Sequence, residues 1–207
     1  MCPEYPTGLQ EKLKDFETTM PLQQEVGKVI VTGIVGLGGV GKTTLAKEFF
    51  NIQRSKYKRF CILEDIRDNH LTTLQKYLVK DLTQRDEEIR SINQGKEKLR
   101  RLLPSSDCLI ILDDVDNIEQ LEALLYPAKD ALKSSSLILV TSRNKDVLTS
   151  SDIPESSIYI LEGLSRPHSK ELFCSHAFGQ HHPTAGFDII LDCAKSPYCF
   201  LKTYEAG

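Results

Sequence analysis

Eight consecutive residues constrain this chain more than any other stretch. Gly36-Leu37-Gly38-Gly39-Val40-Gly41-Lys42-Thr43 matches GxxxxGK[ST] at every fixed position. Glycines let successive backbone N–H groups turn inward and line a concave nest for phosphate oxygens. A helix opening near Gly41 adds its free N–H groups and the positive end of its dipole. Lys42 then supplies a mobile positive charge to the β- and γ-phosphates, the Thr43 hydroxyl is placed to coordinate Mg²⁺, and Thr44 caps the α-phosphate side. With average glycine usage of about 7%, a chance match in a chain of this length has odds of roughly one in a hundred. The mechanism needs a strand before the loop and an amphipathic helix after it. Both are present: Val29–Val35 is an apolar run, and Leu45, Ala46, Phe49 and Phe50 share one helical face.

That local requirement extends along the chain. Val29–Val35, Phe60–Glu64, Cys108–Leu112, Leu137–Thr141 and Ile158–Leu161 are short runs rich in Val, Ile and Leu, as a sheet covered on both faces requires. Helical stripes lie between them: Leu71, Leu74, Leu78 and Leu82; then Ile118, Leu121 and Leu125; then Leu172, Phe173 and Ala177. Ser91 followed by Gln94 reads as a capping box opening a helix that carries Leu99 and Leu102. The alternation predicts an α/β fold, a three-layer P-loop NTPase sandwich around a five-stranded, mostly parallel sheet, with a short C-terminal helical appendage. Residues 1–24 read as a linker or lead-in helix, 25–165 as the nucleotide-binding domain and 166–207 as the start of a helical subdomain.

Composition narrows the function classes. Hydrophobic residues make up 40% of the 207 and charged residues 27%, enough for a real core. A formal net charge of -3 argues against a dedicated nucleic-acid binder. The longest apolar runs are strand-length, too short to span a membrane. The opening MCPEYPTGLQEKLKDFE lacks the blocks of a secretion signal, so the expected compartment is the cytoplasm. The six cysteines, Cys2, Cys61, Cys108, Cys174, Cys193 and Cys199, form no CxxC pair and read as buried reduced thiols. His168 and His181-His182 have no metal spacing and read as solvated surface.

Two further segments complete a phosphate site. Cys108–Leu112 runs into Asp113-Asp114, and acids at the carboxyl end of a parallel strand sit at the ligand-binding edge of the sheet. Asp113 is the candidate for the Mg²⁺ hydration shell, and Asp114 for orienting or activating an attacking water. The alternative is that these acids cap the helix beginning at Ile118. Leu137–Thr141 continues into Ser142 and Arg143, and an arginine there suits bidentate sensing of a γ-phosphate. The alternative is a surface arginine starting the next helix.

Three motifs in this order resemble the NB-ARC domain of the NLR class of STAND ATPases, the nucleotide-binding part of plant disease-resistance proteins. The resemblance is carried by GIVGLGGVGKTTLAKEFF, LEDIRDN, LIILDDVDNIEQLEALL, SLILVTSRNKDVL and YILEGLSRPHSKELFCSHAF, from Lys28 to His182. Asp116, closing LDDVD, resembles the TIR-associated subgroup. The resemblance implies a sheet with the Walker B and sensor strands beside the P-loop strand. It implies ADP or ATP with Mg²⁺ as ligand, held by Gly36 to Thr44, Asp113, Asp114 and Arg143. It also implies a switch in which ADP holds an inactive state and ATP permits an active, oligomerising one.

The expected function is therefore a regulatory module with slow or no hydrolysis, self-associating or associating with other NLR proteins. A multiple-turnover ATPase and a truncated adaptor or decoy that binds full-length relatives are the alternatives. Residues 166–207 read as a truncated ARC1-like subdomain. In the tail CAKSPYCFLKTYEAG the family's GLPL segment is altered: Leu201-Lys202 fits, Pro197 is displaced and the glycine is missing.

Overall fold

The five apolar runs pair edge to edge in one sheet, in a computed structural model that describes residues 8–20, 29–103, 106–133 and 135–180. The strands are β1 (Ile30–Val35), β2 (Arg59–Leu63), β3 (Cys108–Val115), β4 (Leu137–Ser142) and β5 (Ile158–Ile160). Their spatial order is β2-β3-β4-β1-β5, and every pairing is parallel. Parallel neighbours need crossover connections, and the helices supply them: α2 (Lys42–Gln53), α3 (Leu71–Thr83), α4 (Ile92–Leu102), α5 (Ile118–Ala131) and α6 (Lys145–Thr149). Flanking the sheet in sequence are α1 (Leu9–Thr19) and α7 (Arg166–Phe178).

Strand side chains alternate between the two faces, and this alternation sorts the core into two clusters. Leu109, Ile111, Leu137 and Leu139 pack with Leu45, Ala46, Phe49 and Phe50 of α2 and with α1. Ile110, Leu112, Ile138 and Val140, one position along, pack with Leu74 and Leu78 of α3, Leu99 of α4 and Leu121 and Leu124 of α5. Three layers result. Of β3 and β4, only β4 pairs directly with β1, and β3 lies one place further out. The expectation that both strands flank the P-loop strand thus holds for β4 alone. The first crossover causes this: α2 packs across β3 and β4 and delivers the chain to the far edge at β2.

At the amino end the structure shows a helix where the sequence left open a linker. Leu9, Leu13, Phe16 and Met20 of this region are buried, at spacings of four, three and four residues. Phe16 is fully buried, with ring centroids 5.3 Å from Phe49 and 5.4 Å from Tyr159, both edge-on. The Tyr159 hydroxyl donates to Asp15 Oδ2 at 2.5 Å, and Gln53 Nε2 donates to Glu17 Oε1 at 2.7 Å. α1 is thereby fastened both to β5 and to the helix that follows the glycine loop.

Helix caps show where sequence signals translate literally and where they do not. Asn117 and Gln120 form a full capping box on α5, so neither Asp113 nor Asp114 caps that helix. Ser91 accepts from the Gln94 N–H, but Gln94 Oε1 accepts from the Arg90 N–H and not from Ser91, so only half of the predicted box forms. Among the described cysteines, Cys61 and Cys108 are buried free thiols, and Cys174 is buried. Cys2, Cys193 and Cys199, His181-His182 and the altered tail around Pro197 lie outside the described residues.

Candidate nucleotide site

The glycine loop joins β1 to α2 at the carboxyl edge of the sheet. Gly39 and Gly41 have φ of 76° and 98°, a region that side chains make costly. A Cβ at either would meet nothing within 4 Å, so the loop bends around open space. The first bond of α2 runs from the Leu45 N–H to the Gly41 carbonyl, and Gly41 offers no side-chain cap. The N–H groups of Lys42, Thr43 and Thr44 therefore have no helical acceptor. Lys42 is only 6% exposed, and its Nζ donates to the Gly36 and Leu37 carbonyls, both at 2.9 Å. Burial lowers its pKa from the usual lysine value, with Arg143 lowering it further and Asp114 and Asp113 raising it. A nearly buried ammonium resting on loop carbonyls, beside free N–H groups and open space, fits an anionic group.

The acids meet the loop through β3. Leu112 pairs with Val140 and Val115 with Ser142, so three steps on β3 face two on β4. This is a β-bulge, a device that re-aims side chains. Asp114 sits in it with φ of 56°. Asp113 is 1% exposed and accepts hydrogen bonds from Thr43 Oγ1, at 3.1 Å to Oδ1 and 2.9 Å to Oδ2. Thr141 Oγ1 donates to Asp113 Oδ1 at 2.6 Å and itself accepts from the Asp114 N–H at 2.9 Å. A hydroxyl and a carboxylate 70 positions apart thus already touch.

On the opposite flank, Arg143 grips Asp114, with Nε 3.2 Å from Oδ1 and Nη2 3.4 Å from Oδ2. Arg143 also lies over the glycine loop: its Nη1 is 3.6 Å from where a Gly38 Cβ would stand. The first turn of α6 begins after Asn144, which caps it, so Arg143 is free of the helix. Leu37, Gly38, Gly39 and Thr44 are exposed around this mouth, while Gly36, Val40, Gly41 and Thr43 are half-buried.

Two participants escaped the sequence reading. Thr141 stood in it only as a strand end, yet it is the buried hinge between both acids. Arg67, from the single 3-10 turn after β2, has Nη2 3.7 Å from Asp114 Oδ1 and Nε 3.4 Å from Asp116 Oδ2. The signal for Thr141 was present: a threonine and serine ending an otherwise apolar strand. Arg67 had none, because its acids lie 47 and 49 positions away, as the numbering shows.

The NB-ARC domain family matches residues 10–182, most of the chain and the whole of this site. The chain belongs to the NB-ARC family. Similar relatives include the disease resistance protein RPV1 of Vitis rotundifolia, 33% identical over 93% of this chain and 14% of that protein. Another is the TMV resistance protein N of Nicotiana glutinosa, 30% identical over 88% of this chain and 16% of that protein. The chain thus spans about one-seventh of the length of these relatives. Among solved structures, Cdc6p from Pyrobaculum aerophilum superposes with a TM-score of 0.61 at 15% identity, over 92% of this chain and 55% of the other. That likeness concerns the fold, a P-loop NTPase sandwich. The match of family, motif order and fold makes this an NB-ARC domain similar to those of plant disease-resistance proteins. No helix among the described residues is long and apolar enough to cross a membrane.

Proposed function

We propose that this module binds ADP or ATP with Mg²⁺ and works as a regulatory switch with slow or no hydrolysis. The observation that carries the reading is the contact of Thr43 with Asp113 at 2.9 Å, on the open side of the glycine loop. In this reading Gly36, Leu37, Gly38, Gly39, Val40 and Gly41 wrap the phosphates, and the N–H groups of Lys42, Thr43 and Thr44 face them. Lys42 leaves its two loop carbonyls for phosphate oxygens. Thr43 and Asp113 hold the metal, with Thr141 fixing the carboxylate's orientation. Bound Mg²⁺ would neutralise charge on the β- and γ-phosphates. Arg143 reads the γ-phosphate from the far side.

The clamp of Arg143 on Asp114 supports a switch over a turnover enzyme. An acid gripped at both oxygens is not available to orient water, so hydrolysis waits on a rearrangement. Isothermal calorimetry with Mg-ADP and Mg-ATP tests the reading, with Lys42→Ala as control. Absence of magnesium-dependent binding to the wild-type chain would sink it. Action in disease resistance and self-association with NLR relatives follow from the family as extensions of the same proposal. Size-exclusion chromatography with each nucleotide checks the latter.

A further inference from the structure

Asp114 is held by two guanidiniums that approach from different sides. Arg143 comes from the end of β4, across the glycine loop, and grips both carboxylate oxygens. Arg67 comes from the turn after β2, with Nη2 3.7 Å from Asp114 Oδ1 and Nε 3.4 Å from Asp116 Oδ2. Its Nε is shut away from solvent and, although 3.4 Å from Asp116, makes no hydrogen bond, so Arg67 holds a loose position between two acids. Both arginines disfavour the charged form of Lys42, so three cations lie close enough to repel one another beside the glycine loop. An added phosphate relieves that repulsion, and Arg143, lying over Gly38, is the arginine placed to turn to it.

Turning Arg143 away leaves Asp114 charged, only 16% exposed in its side chain, and beside a new anion. We propose that Arg67 is a positioning residue that takes Asp114 over when a γ-phosphate draws Arg143 off, holding Oδ1 and leaving Oδ2 free. The proposal rests on the nucleotide-binding reading above and adds to it the counter-charge that makes the triphosphate state reachable. Arg67 needs only to close from 3.7 Å to hydrogen-bonding distance. Its rigid fork of donors can serve Asp114 and Asp116 together.

The test is the affinity of the full chain for Mg-ADP and for Mg²⁺ with a non-hydrolysable imido analogue of ATP. Calorimetry is run on wild type, Arg67→Gln, Asp114→Asn and the double variant, with circular dichroism on each. Arg67→Gln is expected to weaken the analogue relative to ADP by about tenfold, the scale of one lost charge pair in a partly buried site. Asp114→Asn removes the charge that needs a partner, so the double variant recovers the preference of Asp114→Asn alone. Equal weakening of both nucleotides by Arg67→Gln overturns the proposal in favour of a structural role. A selective loss that Asp114→Asn fails to rescue overturns it in favour of direct contact between Arg67 and phosphate. Wild type that binds neither nucleotide removes the parent reading and this one together, a result distinct from both.

Discussion

Lys42→Met separates binding from folding. In the wild type the ammonium makes two hydrogen bonds to loop carbonyls, each 2.9 Å long, and sits at 6% exposure. Losing those bonds costs about 1 kcal/mol each in net terms. Removing a desolvated charge works in the other direction, as its lowered pKa indicates. The two effects nearly cancel, so the variant's melting midpoint stays within about 4 °C of wild type, the equivalent of about 1 kcal/mol in a domain of this size. Binding behaves differently. Mg-ADP at a hundredfold excess over Kd adds about 2.7 kcal/mol to wild type, which raises the midpoint by about 5–11 °C. Loss of charge-assisted bonds worth about 2.8 kcal/mol weakens binding about a hundredfold. At the same nucleotide concentration the variant then gains only about 0.4 kcal/mol, or about 1 °C. The chain has no tryptophan, so far-UV circular dichroism follows the melt. A variant that keeps the full nucleotide-induced shift refutes the placement of Lys42. One whose nucleotide-free midpoint drops by more than about 8 °C refutes the cancellation.

Other expectations concern the scaffold. Phe16→Ala removes a fully buried ring from between Phe49 and Tyr159 and should cost about 3–5 kcal/mol in urea unfolding; a loss under about 1 kcal/mol would mean α1 is not part of the folded unit. Gly95→Ala places a Cβ 1.8 Å from Gln75 Oε1, and Gln75 cannot step aside cheaply because Nε2 is bonded to the Ile92 and Ala123 carbonyls. The expected loss is about 1–3 kcal/mol by the same assay, and a neutral result would show that α3 and α4 can slide apart. Burial, then the hydrogen bond to Asp15, pushes the Tyr159 phenol above its ordinary value near 10. A raised folded-state pKa contributes stability below the unfolded value, and this is lost as pH rises beyond it. Wild type should therefore exceed Tyr159→Phe at neutral pH, and the gap should narrow above about pH 10. A gap that stays constant in alkaline melts would contradict the pairing with Asp15.

The glycine loop and the strand-helix alternation were legible because each depends on neighbours in sequence. A nest needs glycines at fixed offsets, and a doubly covered strand needs an unbroken apolar run. Asp113, Asp114 and Arg143 were legible as candidates for a related reason: each follows such a run at the strand's carboxyl end. Those positions name chemistry without distances. α1 was hard to see because its apolar residues are sparse and sit among Glu, Lys and Asp, so only the pocket formed by Phe49 and Tyr159 shows what Phe16 is for.

The remaining features arise from the way distant segments pack. The crossover through α2 put β4, not β3, beside the P-loop strand, and no sequence period encodes strand order. The extra residue of the bulge aimed Asp113 at Thr43 and Asp114 at Arg143. Thr141 became the link between the acids, and Arg67 a second guanidinium on Asp114, through pairings that span 27 to 47 positions. What is legible from the residues alone is a glycine-rich loop joined to a parallel sheet, since backbone conformation and burial pattern are local. Which charges face one another across that loop depends on how the strands stack, and that is a property of the folded whole.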